Sequence, residues 1–182
     1  MRTFFALVPD AAVRAALGER ARVLALAIGG RAVPGVNVHV TLAFVGDVDA
    51  VQAAALRAML ATLPRRPFTL MLDRIGEWPR AGVAWLAPSA VPAPLVALHA
   101  QLAAALAASG FAVEARPFRP HVTLVRRLAR PLADTAAEAL EWRVTRVALM
   151  VSERVGGALR YREQAAVTLG RDPEGGYASA AP

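Results

Sequence analysis

The sequence contains neither cysteine nor lysine. Without cysteine there is no disulfide framework, no thiolate nucleophile and no cysteine-ligated zinc or iron–sulfur site. Without lysine there is no P-loop lysine, no Schiff base and no lysine to carry a covalent nucleotide. All 21 basic residues are therefore arginine, giving a formal net charge of +7. A planar guanidinium suits bidentate phosphate recognition, and an arginine-rich surface suits RNA; replacement of surface lysine by arginine in a compositionally biased genome accounts for the same count. Histidine is also scarce, with three in the chain.

No secretory signal is legible, because the apolar run after Met1-Arg2-Thr3 stops at Pro9-Asp10. Together with the lack of cysteine this leads us to expect a cytoplasmic protein. Ala81 to Val113 carries no formal charge, but Pro88, Pro92 and Pro94 interrupt it. It reads as a strand followed by a buried helix, and no membrane association is expected. At 56% hydrophobic residues the chain can fill an interior.

Hydrophobic periodicity and punctuation predict alternating strands and helices. Phe4–Val8 is a strand, and Asp10 caps a helix to about Ala27 with Val13, Leu17 and Leu24 on one stripe. Gly29-Gly30 and Pro34-Gly35 form a loop. Val36–Phe44 is a strand, Asp49 opens a helix to about Leu63, and Phe68–Leu72 is a strand. Val83–Leu86 is a strand, and Pro94 opens a helix through about Ser109. A strand surrounds His121, a helix covers about Pro131–Glu141, and strands follow at Val144–Val151 and Tyr161–Leu169. From Arg171 onward the chain is expected to be a mobile tail, leaving 1–170 as one bilobal domain.

The two halves repeat. Ala6-Leu7-Val8-Pro9 parallels Trp85-Leu86-Ala87-Pro88, and each half then reaches His-Val-Thr-Leu, at His39–Leu42 and His121–Leu124. Such a repeat implies duplication of a strand–helix unit and two copies facing one another across a cleft. Side chains alternate along a strand, so His39 and Thr41 share one face and Val38, Val40, Leu42 and Phe44 the other; His121 and Thr123 oppose Val122 and Leu124 in the same way. Two histidines and two threonines then converge.

That set suits phosphoester chemistry. One imidazole takes a proton from water, the other protonates the departing oxygen, and threonine hydroxyls donate to the non-bridging oxygens. No cluster of carboxylates and histidines suggests a metal, and no cofactor is expected. His99, in the alanine-leucine helix, has no counterpart in the repeat and reads as structural.

The paired strings resemble the two signature motifs of the 2H phosphoesterase superfamily. Arg2–Leu7, Val38–Gly46 (VHVTLAFVG) and Phe118–Arg126 (FRPHVTLVR) resemble the RNA 2′,3′-cyclic phosphodiesterases, also called 2′-5′ RNA ligases, with similarity to about Gly170. The resemblance implies an α+β fold: two antiparallel sheets related by a pseudo-two-fold axis, facing a central cleft, with helices outside. It implies metal-independent hydrolysis of 2′,3′-cyclic phosphate ends of RNA or oligonucleotides to 2′-phosphates. Nothing in the sequence suggests a dimer or an obligate protein partner, so a monomer is expected. His39 would be the proton donor to O3′ and His121 the proton acceptor from water, beside Thr41 and Thr123. The residues themselves leave the order of the two histidines open.

The resemblance also implies a phosphate-contacting arginine five residues after the second histidine, here Arg126, which strict alternation would place opposite His121 unless the strand ends or bends near Val125; Arg119, on the histidine face, competes with it. Phe5 and Phe44 are candidates for base stacking, with the core as their alternative place. The same acid–base pair would serve ATP-independent 2′-5′ ligation or a 2′-5′ oligonucleotide phosphodiesterase. A non-catalytic RNA-binding module is the reading from another class, and would need neither histidine.

Overall fold

The computed structural model describes residues 2–170; the expected tail from Arg171 lies outside them. Among these residues the strands are β1 (Arg2–Leu7), β2 (Arg31–Ala32), β3 (Val40–Gly46), β4 (Phe68–Trp78), β5 (Val83–Ala87), β6 (Val122–Arg126), β7 (Thr135–Val144), β8 (Arg146–Val155) and β9 (Ala158–Thr168). The helices are α1 (Ala11–Ile28), α2 (Ala50–Ala61) and α3 (Ala93–Ala108). Asp10 caps α1 by accepting from the Val13 amide, and Asp49 and Gln52 form a reciprocal capping box on α2. The uncharged stretch from Ala81 holds β5 and α3, as expected. No helix among the described residues is long and apolar enough to cross a membrane.

The strands run in the order β7-β4-β5-β6-β3-β1-β8-β9, with β2 added beside β6 and all pairings antiparallel. The two halves are visible in this order. β1-α1-β3 corresponds to β5-α3-β6, and the two copies meet at one residue pair, Val40 opposite Val122. These are equivalent positions of the two tetrapeptides, the pairing that a two-fold axis requires. The halves thus join edge to edge at the cleft rather than standing as fully separate sheets.

The helices lock the halves together. α1, which follows β1, packs on β6 of the other half, and α3 packs on β3; α2 lies on β8 and β9. Phe5, Leu7, Leu17, Leu56, Leu102 and Trp142 belong to one buried cluster on this helical side of the sheet. Each fully buried side chain of that size contributes about 1.5–3 kcal/mol relative to exposure. A smaller cluster, Phe4, Ala6, Ala148 and Met150, lies on the opposite face of β1 and β8.

One element is corrected. The helix expected over Pro131–Glu141 is instead β7, paired with β4 from Phe68 opposite Val144 to Ile75 opposite Thr135. Its alanines, glutamates and leucine favour a helix locally. The alternating Leu140, Trp142 and Val144 point inward, with Trp142 and Val144 fully buried. Pairing with a long strand therefore outweighs local propensity. The strand expected from Val36 begins instead at Val40, after a 3-10 turn at Gly35–Asn37.

Gly76 sits opposite Trp85, and a Cβ there would lie 2.5 Å from the indole Cζ2. Gly76→Ala is expected to cost about 1–3 kcal/mol of stability by overpacking, read by denaturant unfolding. The same variant should shift the emission of Trp85; an unchanged midpoint and spectrum would show that the indole moves freely.

Candidate active site

The two tetrapeptides begin one residue before their strands, which places His39 and His121 at the strand entrances beside the Val40–Val122 pair. Each ring is held the same way. His39 Nδ1 lies 2.8 Å from the Asn37 carbonyl oxygen, and His121 Nδ1 lies 2.8 Å from the Arg119 carbonyl oxygen. A carbonyl only accepts, so Nδ1 carries the proton and donates it, leaving each Nε2 as the group available for proton transfer. Thr41 Oγ1 lies 3.1 Å from His39 Nε2 and in this tautomer donates to it. The local anchor of His39 is itself anchored: Asn37 is buried, its Nδ2 donates to Leu159 O at 2.9 Å, and its Oδ1 accepts from the Tyr161 amide at 3.3 Å.

Both strands then bulge at the same place. Phe5 faces Ala43 and Ala6 faces Thr41, so Leu42 has no opposite residue. In the second half Ala84 faces Val125 and Trp85 faces Thr123, so Leu124 has none. An extra residue reverses the alternation beyond it. Strict alternation puts Phe44 in the core and Arg126 away from His121; the bulges bring both to the histidine side. Phe44 and Arg126 are equivalent residues of the repeat, and both line a cleft of about 640 Å³ with His39, Thr41, His121 and Thr123.

The remaining candidates separate. Of the two places open to Phe5, the structure gives the core: it is fully buried on the helical side and does not serve as a base-stacking face. Its neighbour Phe4 faces the cleft, with its ring 5.1 Å from His39 and 5.9 Å from Phe44. Arg119 does not line the cleft with His121, and it serves that histidine through its backbone carbonyl. Besides Phe4, sequence reasoning missed two aromatic rings against the histidines and a third behind them. Tyr161 stands edge-on to His39 at 4.9 Å, Trp78 edge-on to His121 at 4.4 Å, and Trp85 lies 5.8 Å from Trp78. Only the alternation of β1, which puts Phe4 opposite to core-facing Phe5, was open to detection. Tyr161 and Trp78 arrive from strands outside the repeated motif.

His99 does more than fill space. Its Nδ1 lies 3.0 Å from the carbonyl oxygen of Leu42, the bulged residue, and its ring stacks at 3.9 Å on Phe118. It therefore ties the bulge of the first half to the segment that enters His121.

Burial pushes the His39 imidazole from the usual 6.5 down to about 4, with smaller contributions from the charges of His121 and Arg126 opposing the Asn37 hydrogen bond. Burial, then Arg126, lowers His121 as well. Both shifts favour the neutral ring, and an anion between the two would favour protonation. No group of three or more histidine or carboxylate side chains among the described residues is arranged to hold a metal ion.

Comparison with known proteins accords with this geometry. Residues 8–156 match the family described as the 2′-5′ RNA ligase superfamily. The chain belongs to that superfamily. An RNA 2′,3′-cyclic phosphodiesterase of Escherichia coli is 37% identical over 134 residues, covering 72% of this chain and 76% of the relative. One of Thermus thermophilus is 31% identical over 163 residues, covering 84% and 82%. The crystal structure of Escherichia coli LigT complexed with 3′-AMP superposes with a TM-score of 0.81 at 32% identity, covering 92% of this chain and 97% of that one. The α+β architecture expected for the superfamily is therefore the one observed.

Two expectations follow for the site. In an NMR titration the His39 ring should stay neutral to about pH 4, and saturating inorganic phosphate should raise its midpoint. Because the unfolded chain would bind this proton from 6.5 downward and the folded chain resists it, His39 contributes a loss of stability as pH falls through that window. Second, His99→Ala should cost about 1–3 kcal/mol and lower kcat, whereas His99→Asn, which keeps a donor near Leu42 O, should recover part of both. Thermal unfolding and turnover on the same samples test this; equal loss in both variants would remove the hydrogen bond from the account.

Proposed function

We propose that the protein hydrolyses 2′,3′-cyclic phosphate ends of RNA to 2′-phosphates by acid–base catalysis between His39 and His121. The observation that carries this is the matched pair of imidazoles, each with Nδ1 anchored to the carbonyl two residues upstream and Nε2 available, in a cleft shared with Arg126. Ring opening at phosphorus needs a base for the attacking water and an acid for the departing O3′, in line with each other. Two rings from opposite halves of a pseudo-symmetric cleft meet that need. The names of the Escherichia coli and Thermus thermophilus relatives support this reaction.

In this reading neutral His121 accepts the proton of the attacking water through Nε2. His39 takes up a proton as the anionic phosphate arrives and delivers it to O3′. Its surroundings disfavour the charged ring, so the proton is readily given up once charge leaves the phosphate. Arg126 and the hydroxyls of Thr41 and Thr123 hold the non-bridging oxygens as negative charge grows. Phe44 is exposed and offers a face for a base, with the buried Phe4 ring supporting it from behind. The enzyme works as a cytoplasmic monomer without a metal or cofactor. A 5′-hydroxyl in place of water would run the same chemistry as 2′-5′ ligation, the reaction for which the superfamily is named.

With nucleoside 2′,3′-cyclic phosphates and EDTA present, the native protein should form the 2′-phosphate, identified by phosphorus NMR. His39→Ala and His121→Ala should each lose on the order of 10²–10⁴-fold in kcat. Turnover surviving in either variant, or requiring added metal, would break the two-histidine mechanism.

A further inference from the structure

A groove of about 550 Å³ continues from the cleft past His39, Thr123 and Arg126, and four arginines line it: Arg31, Arg126, Arg127 and Arg154. No carboxylate lines it. Elsewhere on the surface Arg22, Arg74, Arg146 and Arg162 are neutralised by Glu19, Asp134, Glu163 and Glu153. Among the described residues none of the four groove arginines makes an ion pair. Like charges gathered without counterions repel, and that cost is offset when an anion enters.

The backbone brings these arginines together at a cost. Arg31 in β2 pairs directly with Arg126 in β6. Arg126 and Arg127 are consecutive, so in continuous strand they would project to opposite faces. Arg127 instead adopts a φ of 55°, the left-handed region, where it is the one non-glycine among the described residues. A strained residue at this position lets both guanidinium groups reach the same groove. Arg154 closes the other wall from the end of β8.

We infer that this groove is a second phosphate subsite, which takes the 5′-phosphate of the terminal nucleotide whose 2′,3′-cyclic phosphate lies between the histidines. The inference rests on the proposed cleavage reaction. A ribose cyclised on O2′ and O3′ carries the rest of its chain on O5′, so the next anion along RNA is the phosphate on that oxygen. A groove that leaves the histidines, holds no carboxylate and presents guanidinium forks from both halves of the fold matches that anion. It makes the enzyme selective for ends of RNA chains over free cyclic nucleosides. The shared chemistry also admits a free nucleotide bearing both phosphates.

The test compares kcat/KM for a nucleoside 2′,3′-cyclic phosphate, the same compound carrying a 5′-phosphate, and a dinucleotide ending in a 2′,3′-cyclic phosphate. The native enzyme should favour both 5′-phosphorylated substrates by on the order of tenfold or more, as charge-assisted contacts provide. Arg127→Gly and Arg31→Ala should each collapse that ratio towards one. Glycine suits the left-handed backbone, so Arg127→Gly removes the guanidinium without straining the fold, and an unchanged melting temperature checks this. Preference for the dinucleotide alone would mean that a second base, not the phosphate, is recognised, and would overturn the inference. So would equal loss on all three substrates, which indicates a long-range field effect. If the simple nucleoside cyclic phosphate is not hydrolysed at all, the failure lies with the proposed reaction; if it is hydrolysed with no 5′-phosphate advantage, only the subsite fails.

Discussion

The antiparallel pair of Val40 and Val122 determines where everything else in the cleft stands. It joins equivalent residues of two copies of one motif, so the side chains on either side of it come in matched pairs. His39 and His121 flank it immediately, Thr41 and Thr123 follow, and the carbonyls of Asn37 and Arg119 precede. A slip of one residue in this register would turn both histidines away from the cleft, because side-chain direction has a period of two. The crossed packing of α1 on β6 and α3 on β3 opposes such a slip, since each helix is seated on the strand of the other half.

The bulges at Leu42 and Leu124 show how a duplicated scaffold acquires unlike walls. In both copies the extra residue turns the side chain five positions after the histidine into the cleft. In one copy that side chain is Phe44, in the other Arg126. The same backbone irregularity thus delivers an aromatic face on one side and a cation on the other. His99 holds the first of these bulges by hydrogen bonding to the Leu42 carbonyl, and the backbone holds the second, where the Val33 amide donates to the Leu124 carbonyl at 2.8 Å beside the pairing of β2 with β6.

The electrostatic character of the cleft follows from burial and arginine together. Aromatic rings at Phe4, Tyr161 and Trp78 surround the imidazoles and exclude water, which disfavours their charged forms. Arg126 adds to that effect on both rings. The cleft is consequently a place where neutral histidines face a fixed positive charge, a state that an incoming phosphate reverses. Protonation and substrate binding are linked in such a site.

The duplicated His-Val-Thr-Leu and the resemblance that it carries were enough to locate both histidines and both threonines, and the punctuation gave the strand–helix–strand unit at the centre of each half. Identical tetrapeptides carry their signal in the residues themselves, and period-two patterning needs no partner to be read. The turn of Phe44 and Arg126 into the cleft, and β7, were not legible in that way. A bulge exists only relative to the strand opposite it, so Leu42 and Leu124 give no local sign that the alternation resets. Local composition over Thr135–Val144 favours a helix, and only β4, distant in sequence, supplies the ladder that makes it a strand. Tyr161, Trp78 and Arg31 reach the cleft region from elements outside the repeat. Sequence by itself determined which two histidines and two threonines share the cleft, because that signal is written in residue type and repetition. The tertiary structure alone decided the walls and the arginine groove around that pair, because they depend on which strands become neighbours.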